Sequence, residues 1–306
     1  MIFYFSINFG SMFATILIPK MLTWYGPAVA FGLPGVLMFI ATVIFYQGRH
    51  EFVSMPPAGW DVYVKDMFSK EGLKTLAGLG MIYSFIAFFW SLYDQTGSSW
   101  ILQSEKMNRF VDLGFYSFTL EASQIQTINP IMVMAFIPLF SFVIYPFVGK
   151  FVKVTPLRKI GAGFFVTGAA FAIIAIAEGL IQEGQTPSMM WQFWAYAVIT
   201  AAEVLISITA LEFSYSQAPN SMKSFIMAVF LLSVSMGNLF TSAVNVFIQN
   251  PDGTTSLEGA SYYWFFTVLI VVVGVLYSIA SSFYKEKTYL QDHSEAEEHW
   301  DPLSSS

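Results

Sequence analysis

Four side chains in strongly apolar surroundings have the types needed for chemistry: Glu203, Asp94, Asn8 and Asn129. Glu203 lies deep in the run WQFWAYAVITAAEVLISITALEFSYSQAP (Trp191–Pro219), with Ser207 one helical turn on and Thr200 and Ala210 near the same face. Asp94 belongs to FFWSLYDQTGSSW (Phe88–Trp100), where Trp90, Asp94 and Gly97 share a face at helical spacing and Gln95 and Ser98 lie alongside. Asn8 sits in FYFSINFGS and Asn129 in SQIQTINPIM, where Pro130 opens a helix whose free N–H groups suit a polar ligand. An ionisable group at the centre of a bilayer costs about 2.5–3.5 kcal/mol on insertion scales, so it ordinarily faces a cavity or a partner. Each residue also has a plainer role open to it. Glu203 can cement two helices through Thr200 or Ser207, and Asp94 can be an interfacial acid close to the outer boundary. An Asn can simply bridge two helices for about 0.6 kcal/mol. Glu212, nine residues beyond Glu203, is expected on the opposite side of the helix, as an interfacial residue near its end. As a set, carboxylates and amides recognise an ammonium or hold a proton; they do not neutralise a carboxylate.

The chain has no Cys, its three His lie in polar segments, and no close carboxylate pair is expected within the apolar runs. An enzyme, a metal and a cofactor are therefore not expected, because the nucleophile, ligand set or acid–base pair each would need is missing.

The elements that must position these residues are membrane spans. Charged residues make up only 11% of the chain, against about a quarter in soluble domains, so its surface has to face lipid. A span needs roughly 20 mostly apolar residues. Eight such runs occur, at about 2–19, 27–46, 76–97, 128–149, 160–181, 189–211, 225–248 and 261–284. With the N-terminus inside, Lys20, Lys106 and Arg109 are the only Lys or Arg on outer loops, and the other eleven of fourteen fall inside. The positive-inside rule then places both termini in the cytoplasm of a multi-pass cell-membrane protein, with the lipid bilayer as its surroundings.

The first run carries Asn8 and no basic lead, so it does not read as a signal peptide; apolar sequence from residue 2 suggests a truncated start. The expected organisation is two helices over 1–47, a cytoplasmic linker over 48–75, a six-helix lobe over 76–285 and an acidic cytoplasmic tail over 286–306. The linker holds Pro56-Pro57-Ala58-Gly59 and an amphipathic stretch from Asp61 to Lys74, and residues 98–127 read as an external excursion. Nothing in the charge pattern suggests a nucleic-acid partner.

The segments FYFSINFGS, FFWSLYDQTGSSW, IQTINPIMVMAFIPLF (Ile125–Phe140) and AEVLISITALEFSYSQAPNSMKS (Ala202–Ser224) resemble, in order, the fifth, seventh, eighth and tenth helices of the proton-dependent oligopeptide transporters of the major facilitator superfamily. The resemblance implies an all-α integral membrane protein with a partial major facilitator fold of eight transmembrane helices. It implies proton-coupled symport of di- and tripeptides, with peptides and protons as partners. By position, Glu203 is similar to the glutamate that binds the peptide amino terminus, and it is also a proton-coupling candidate. Asn8 and Asn129 resemble the amides that contact the peptide's N-terminal end and backbone. Asp94 resembles the acid linked to proton coupling, with Trp90 and Gln95 beside it in the cavity. Phe230 stands where many relatives have Trp, and Ser233 is a further pocket candidate. The family's first-helix Glu-x-x-Glu-Arg motif and fourth-helix lysine, expected to bind the peptide carboxylate, have no counterpart here. The missing N-terminal helices of such a transporter are thus an expected partner. A carrier of nitrate or another small substrate, or a non-transporting scaffold, are the alternatives; a lone Glu203 would repel an anion.

Overall fold

The computed structural model describes residues 2–51, 59–112, 114, 117–218, 222–250 and 254–284. Residues Pro56 and Pro57 of the expected linker and the acidic tail from 286 onward lie outside the described residues. Helix α1 (Ile2–Tyr25) and α2 (Pro27–Gln47) form a hairpin joined at Gly26, whose φ of 79° a side chain would strain, and Pro27 supplies a preset first helical residue. A short α3 (Trp60–Met67) is followed by α4 (Lys70–Tyr93) and α5 (Ser99–Glu105). A small antiparallel hairpin, β1 (Phe110–Asp112) with β2 (Ser117–Thr119), precedes α6 (Ile128–Leu139) and α7 (Tyr145–Val148). The remaining helices are α8 (Pro156–Gln182), α9 (Met190–Glu203), α10 (Thr209–Gln217), α11 (Lys223–Phe247) and α12 (Ala260–Ser282).

Among the described residues, eight helical runs are long and apolar enough to cross a membrane, as the hydropathy pattern predicts. Their limits differ from the sequence reading mainly in the third. The amphipathic stretch Asp61–Lys74 is not one linker segment: it divides at Phe68–Ser69, where the Ser69 hydroxyl accepts from the Gly72 N–H (2.9 Å) and starts α4 at Lys70. At the far end the run does not stop at Gly97. The backbone tightens into a 3-10 turn over Asp94–Gly97 and resumes as α5, giving an apolar run of 36 residues to Glu105. Such a break leaves backbone carbonyls that lipid cannot satisfy. Tyr196 donates to the Thr96 carbonyl (2.9 Å), Tyr263 to that of Ser99 (3.1 Å) and Gln192 to that of Trp100 (2.7 Å).

Packing concentrates where α8 meets α12 and α9, and where α4 meets α11. Lipid offers no hydrophobic drive between helices, so close backbone approach has to supply the contact. At the α8–α12 crossing, a methyl group on Gly168 would stand 3.0 Å from Val271, and one on Gly274 would stand 3.1 Å from Phe164. By contrast α1 and α2 are almost wholly exposed, with Phe31 and Phe39 among their outward apolar residues. They touch each other, and α1 also runs along α6.

Candidate functional site

Helices α9 and α10 form one 28-residue run in which Glu203 is the fourteenth residue, so its carboxylate is placed at mid-span. Directly after it, Val204–Ile208 makes a π-helical turn, which inserts one extra residue per turn and re-aims the side chains beyond. Gly163 of α8 provides the space for this wider turn: a methyl group there would meet Ile206 Cδ1 at 2.8 Å. Glu212, after the π turn, is exposed and lies within electrostatic reach of Lys159 rather than in the Glu203 environment.

Three helices converge on Glu203. Its Oε2 accepts from the Tyr93 hydroxyl of α4 (2.9 Å) and from the Asn129 amide of α6 (2.8 Å), and the same amide donates to Thr200 Oγ1 (3.0 Å). Glu203 is buried, as an ionisable group inside a membrane must be unless water reaches it. Two donors on one carboxylate oxygen fix the side chain's rotamer, so the group is held in place before any ligand arrives. Asn8 is buried on α1, the helix that packs along the Asn129-bearing α6.

Trp90 lies one turn before Asp94, its ring edge-on to Tyr93 at 5.5 Å. Its indole N–H is buried and meets no acceptor among the described residues. Asp94 is half-buried at the break after α4, and its Oδ2 accepts from Asn238 of α11 (2.5 Å). Asn238 lies nine residues from the end of α11, so this pair sits about 14 Å inside that end. Asp94 therefore stands within a continuing helical run and not at its end. A polar DQTGSSW string reads locally as a helix end, whereas the chain bends there and continues.

Gln95, Phe230 and Ser233 make no hydrogen bond to this cluster. Gln95 is buried and donates to the Ser91 carbonyl of its own helix (3.1 Å). Phe230 is buried against Tyr83 (5.7 Å), and Ser233, also buried, donates to the Phe230 carbonyl (2.6 Å). Tyr93, Asn238 and Glu178 gain their partners only through the tertiary structure. The signal for Tyr93 is its place directly before Asp94 in the run FFWSLYDQ. Glu178, near the C-terminal end of α8, is buried between the Gln103 amide (2.8 Å) and the Lys106 ammonium (3.5 Å), where it ties α5 to α8.

Chemically, a buried carboxylate with amide and hydroxyl neighbours at mid-span can hold a cation or a proton between helices. The pattern of the POT family matches residues 1–69 and 63–265. Solute carrier family 15 member 2 of Oryctolagus cuniculus is 33% identical over 264 residues, covering 73% of this chain and 36% of that protein. The crystal structure of an auto inhibited POT family peptide transporter superposes with a TM-score of 0.80 at 28% identity, over 94% of this chain and 71% of the other. That of the POT family transporter PepTSo gives 0.75 at 31%, over 92% and 70%. The chain spans about a third of the length of the curated relatives it matches.

Proposed function

The chain belongs to the POT family, with a partial major facilitator fold of eight membrane spans, and from that premise we propose that it supplies the C-terminal part of a proton-coupled symporter of di- and tripeptides. The observation that carries this reading is the carboxylate of Glu203 at mid-span, held by Tyr93 and Asn129. Glu203 receives the ammonium of the peptide, and Asn129 and Asn8 contact the peptide's N-terminal end and backbone. Trp90 packs beside them, with Gln95, Phe230 and Ser233 shaping the walls behind. In a drier cavity the ammonium–carboxylate attraction strengthens as the effective dielectric falls. A proton on Asp94 or Glu203 removes the local negative charge, which lets the two lobes rock around the midplane site. The basic half that holds the peptide carboxylate belongs to the other lobe. An anion carrier is disfavoured, because its substrate would meet Glu203.

Uptake of a labelled dipeptide into liposomes tests this. The complete transporter should accumulate it under an inward proton gradient and lose accumulation with a protonophore, while the 306-residue chain alone should match empty liposomes. Accumulation by the chain alone, or uptake indifferent to the gradient, overturns the reading.

We further propose that both termini are cytoplasmic in the cell membrane. The absence of Cys allows single probes without background. A Cys at Lys106 should react with an impermeant thiol reagent from outside, and one at Lys153 should not. The reverse pattern would invert the topology.

A further inference from the structure

Away from Glu203, the first turns of α8 face the last turns of α12 across an open groove of about 470 Å³. Thr155, Arg158, Ser281 and Ser282 line its mouth at the helix ends, and Ala162, Phe165, Tyr277 and Ser278 line it further along the helices. Arg158 and Phe165 are seven residues apart on one helix, so about 10 Å separates the two ends. Both helices begin or end at the mouth, which places it at the membrane boundary. The groove therefore passes from polar to apolar along the direction in which a bilayer does.

Charge adds a second constraint. From Lys150 to Lys159 the chain carries four cations and no carboxylate, and among the described residues no carboxylate lines the groove. Arg158 donates one N–H to the Lys153 carbonyl (3.0 Å), which ties the backbone of this cationic loop to the residue that lines the mouth. Lys159 is engaged elsewhere, over the Tyr145 ring at 4.0 Å. In the same loop Phe151 and Val152 are 74% and 50% exposed, apolar groups suited to the headgroup–acyl boundary.

A matching ligand needs an anionic group at the mouth, hydrogen-bonding groups for the serine hydroxyls and an apolar tail. We propose that this groove binds an anionic glycerophospholipid, with its phosphate at Arg158 and Lys153 and one acyl chain along Ala162 and Phe165. Basic pockets between spans are suited to such headgroups, each cation near the surface adding to the attraction. The site does not depend on the topology proposed above; only the identity of the leaflet, cytoplasmic, rests on it. The two readings fail separately.

The test uses the 306-residue chain in phosphatidylcholine bilayers with about one-tenth phosphatidylglycerol, extracted gently and weighed intact by native mass spectrometry. Phosphatidylglycerol should be retained in preference to phosphatidylcholine. Arg158→Gln and Lys153→Gln should each lower that preference about five-fold, and Lys106→Gln, on the other membrane face, should not. Phe165→Ser keeps both cations and should also weaken retention, so the proposal stays open to test if the charge variants do not fold. Glycerol phosphate and inorganic phosphate should fail to displace the lipid. Equal retention of the two lipids, unchanged preference in the charge variants, or displacement by inorganic phosphate alone would each overturn it, the last by reducing the groove to a site for small anions.

Discussion

In the complete transporter, Glu203→Gln is expected to weaken binding of peptides with a free amino terminus by about 1.5–3 kcal/mol, the range for hydrogen bonds to charged groups. The substitution keeps the shape of the side chain and an oxygen that can still accept from Tyr93 and Asn129, while it removes the charge. The loss should therefore report on the ammonium and not on collapse of the cluster. Peptides with an acetylated amino terminus never make the ionic contact and should lose much less. Glu212→Gln should leave affinity nearly intact, since that side chain is exposed and near Lys159. Binding measured by competition against a labelled dipeptide distinguishes these outcomes. Equal losses for free and acetylated peptides, or a greater loss at Glu212, would remove Glu203 from its role.

The second large effect is on stability, at Gly237→Ala. Helices α4 and α11 approach so closely there that an added methyl group would press into the Ala87 carbonyl oxygen. It would also stand 2.8 Å from the Ser91 nitrogen and 3.0 Å from Trp90 Cβ. Two of these neighbours are backbone atoms of a packed helix, which cannot swing aside as a side-chain tip can. Overpacking of this kind costs about 1–3 kcal/mol, and the backbone contact puts Gly237 at the upper end. The hydrogen bonds just beyond Gly237, Ser91 with Thr241 (2.6 Å) and Asp94 with Asn238, depend on the same crossing and should loosen together. Gly179→Ala is the control: nothing stands within 4 Å of the added methyl group. Relief of glycine's helical cost should then stabilise the chain by about 0.5–1 kcal/mol. Unfolding in mixed-detergent titrations should show opposite signs for the two variants. Loss of the same size at both positions would mean that the crossing is not as close as described.

The number and order of spans, and the family, follow from the sequence by itself. Both rest on local properties: a bilayer sets a minimum apolar length, and runs of residues such as AEVLISITALEFSYSQAP carry their own signature wherever they fold. Glu203 could be selected for the same reason, since a carboxylate amid apolar residues is anomalous at once. What surrounds it could not. Tyr93 and Asn129 reach Glu203 across 110 and 74 residues, and Asn238 reaches Asp94 across 144. No periodicity in one segment encodes which face of another will meet it.

The π turn after Glu203 and the break after Tyr93 were hidden for a related reason. Each departs from the regular 3.6-residue repeat on which any reading of helix faces relies, and each persists because distant groups support it. Gly163 makes room for the first, and Tyr196, Tyr263 and Gln192 satisfy the carbonyls freed by the second. Thus Asp94, which reads equally well as an interfacial acid or a functional one, stands at a bend within a longer helical run. Gln95, Phe230 and Ser233 are expected from sequence as cavity residues; which neighbours bury them, their own helix or the next, is decided by the packing. Local chemistry determined which residues a membrane protein would keep for function; only the packing of α4, α6, α9 and α11 against one another decided which of them share a site.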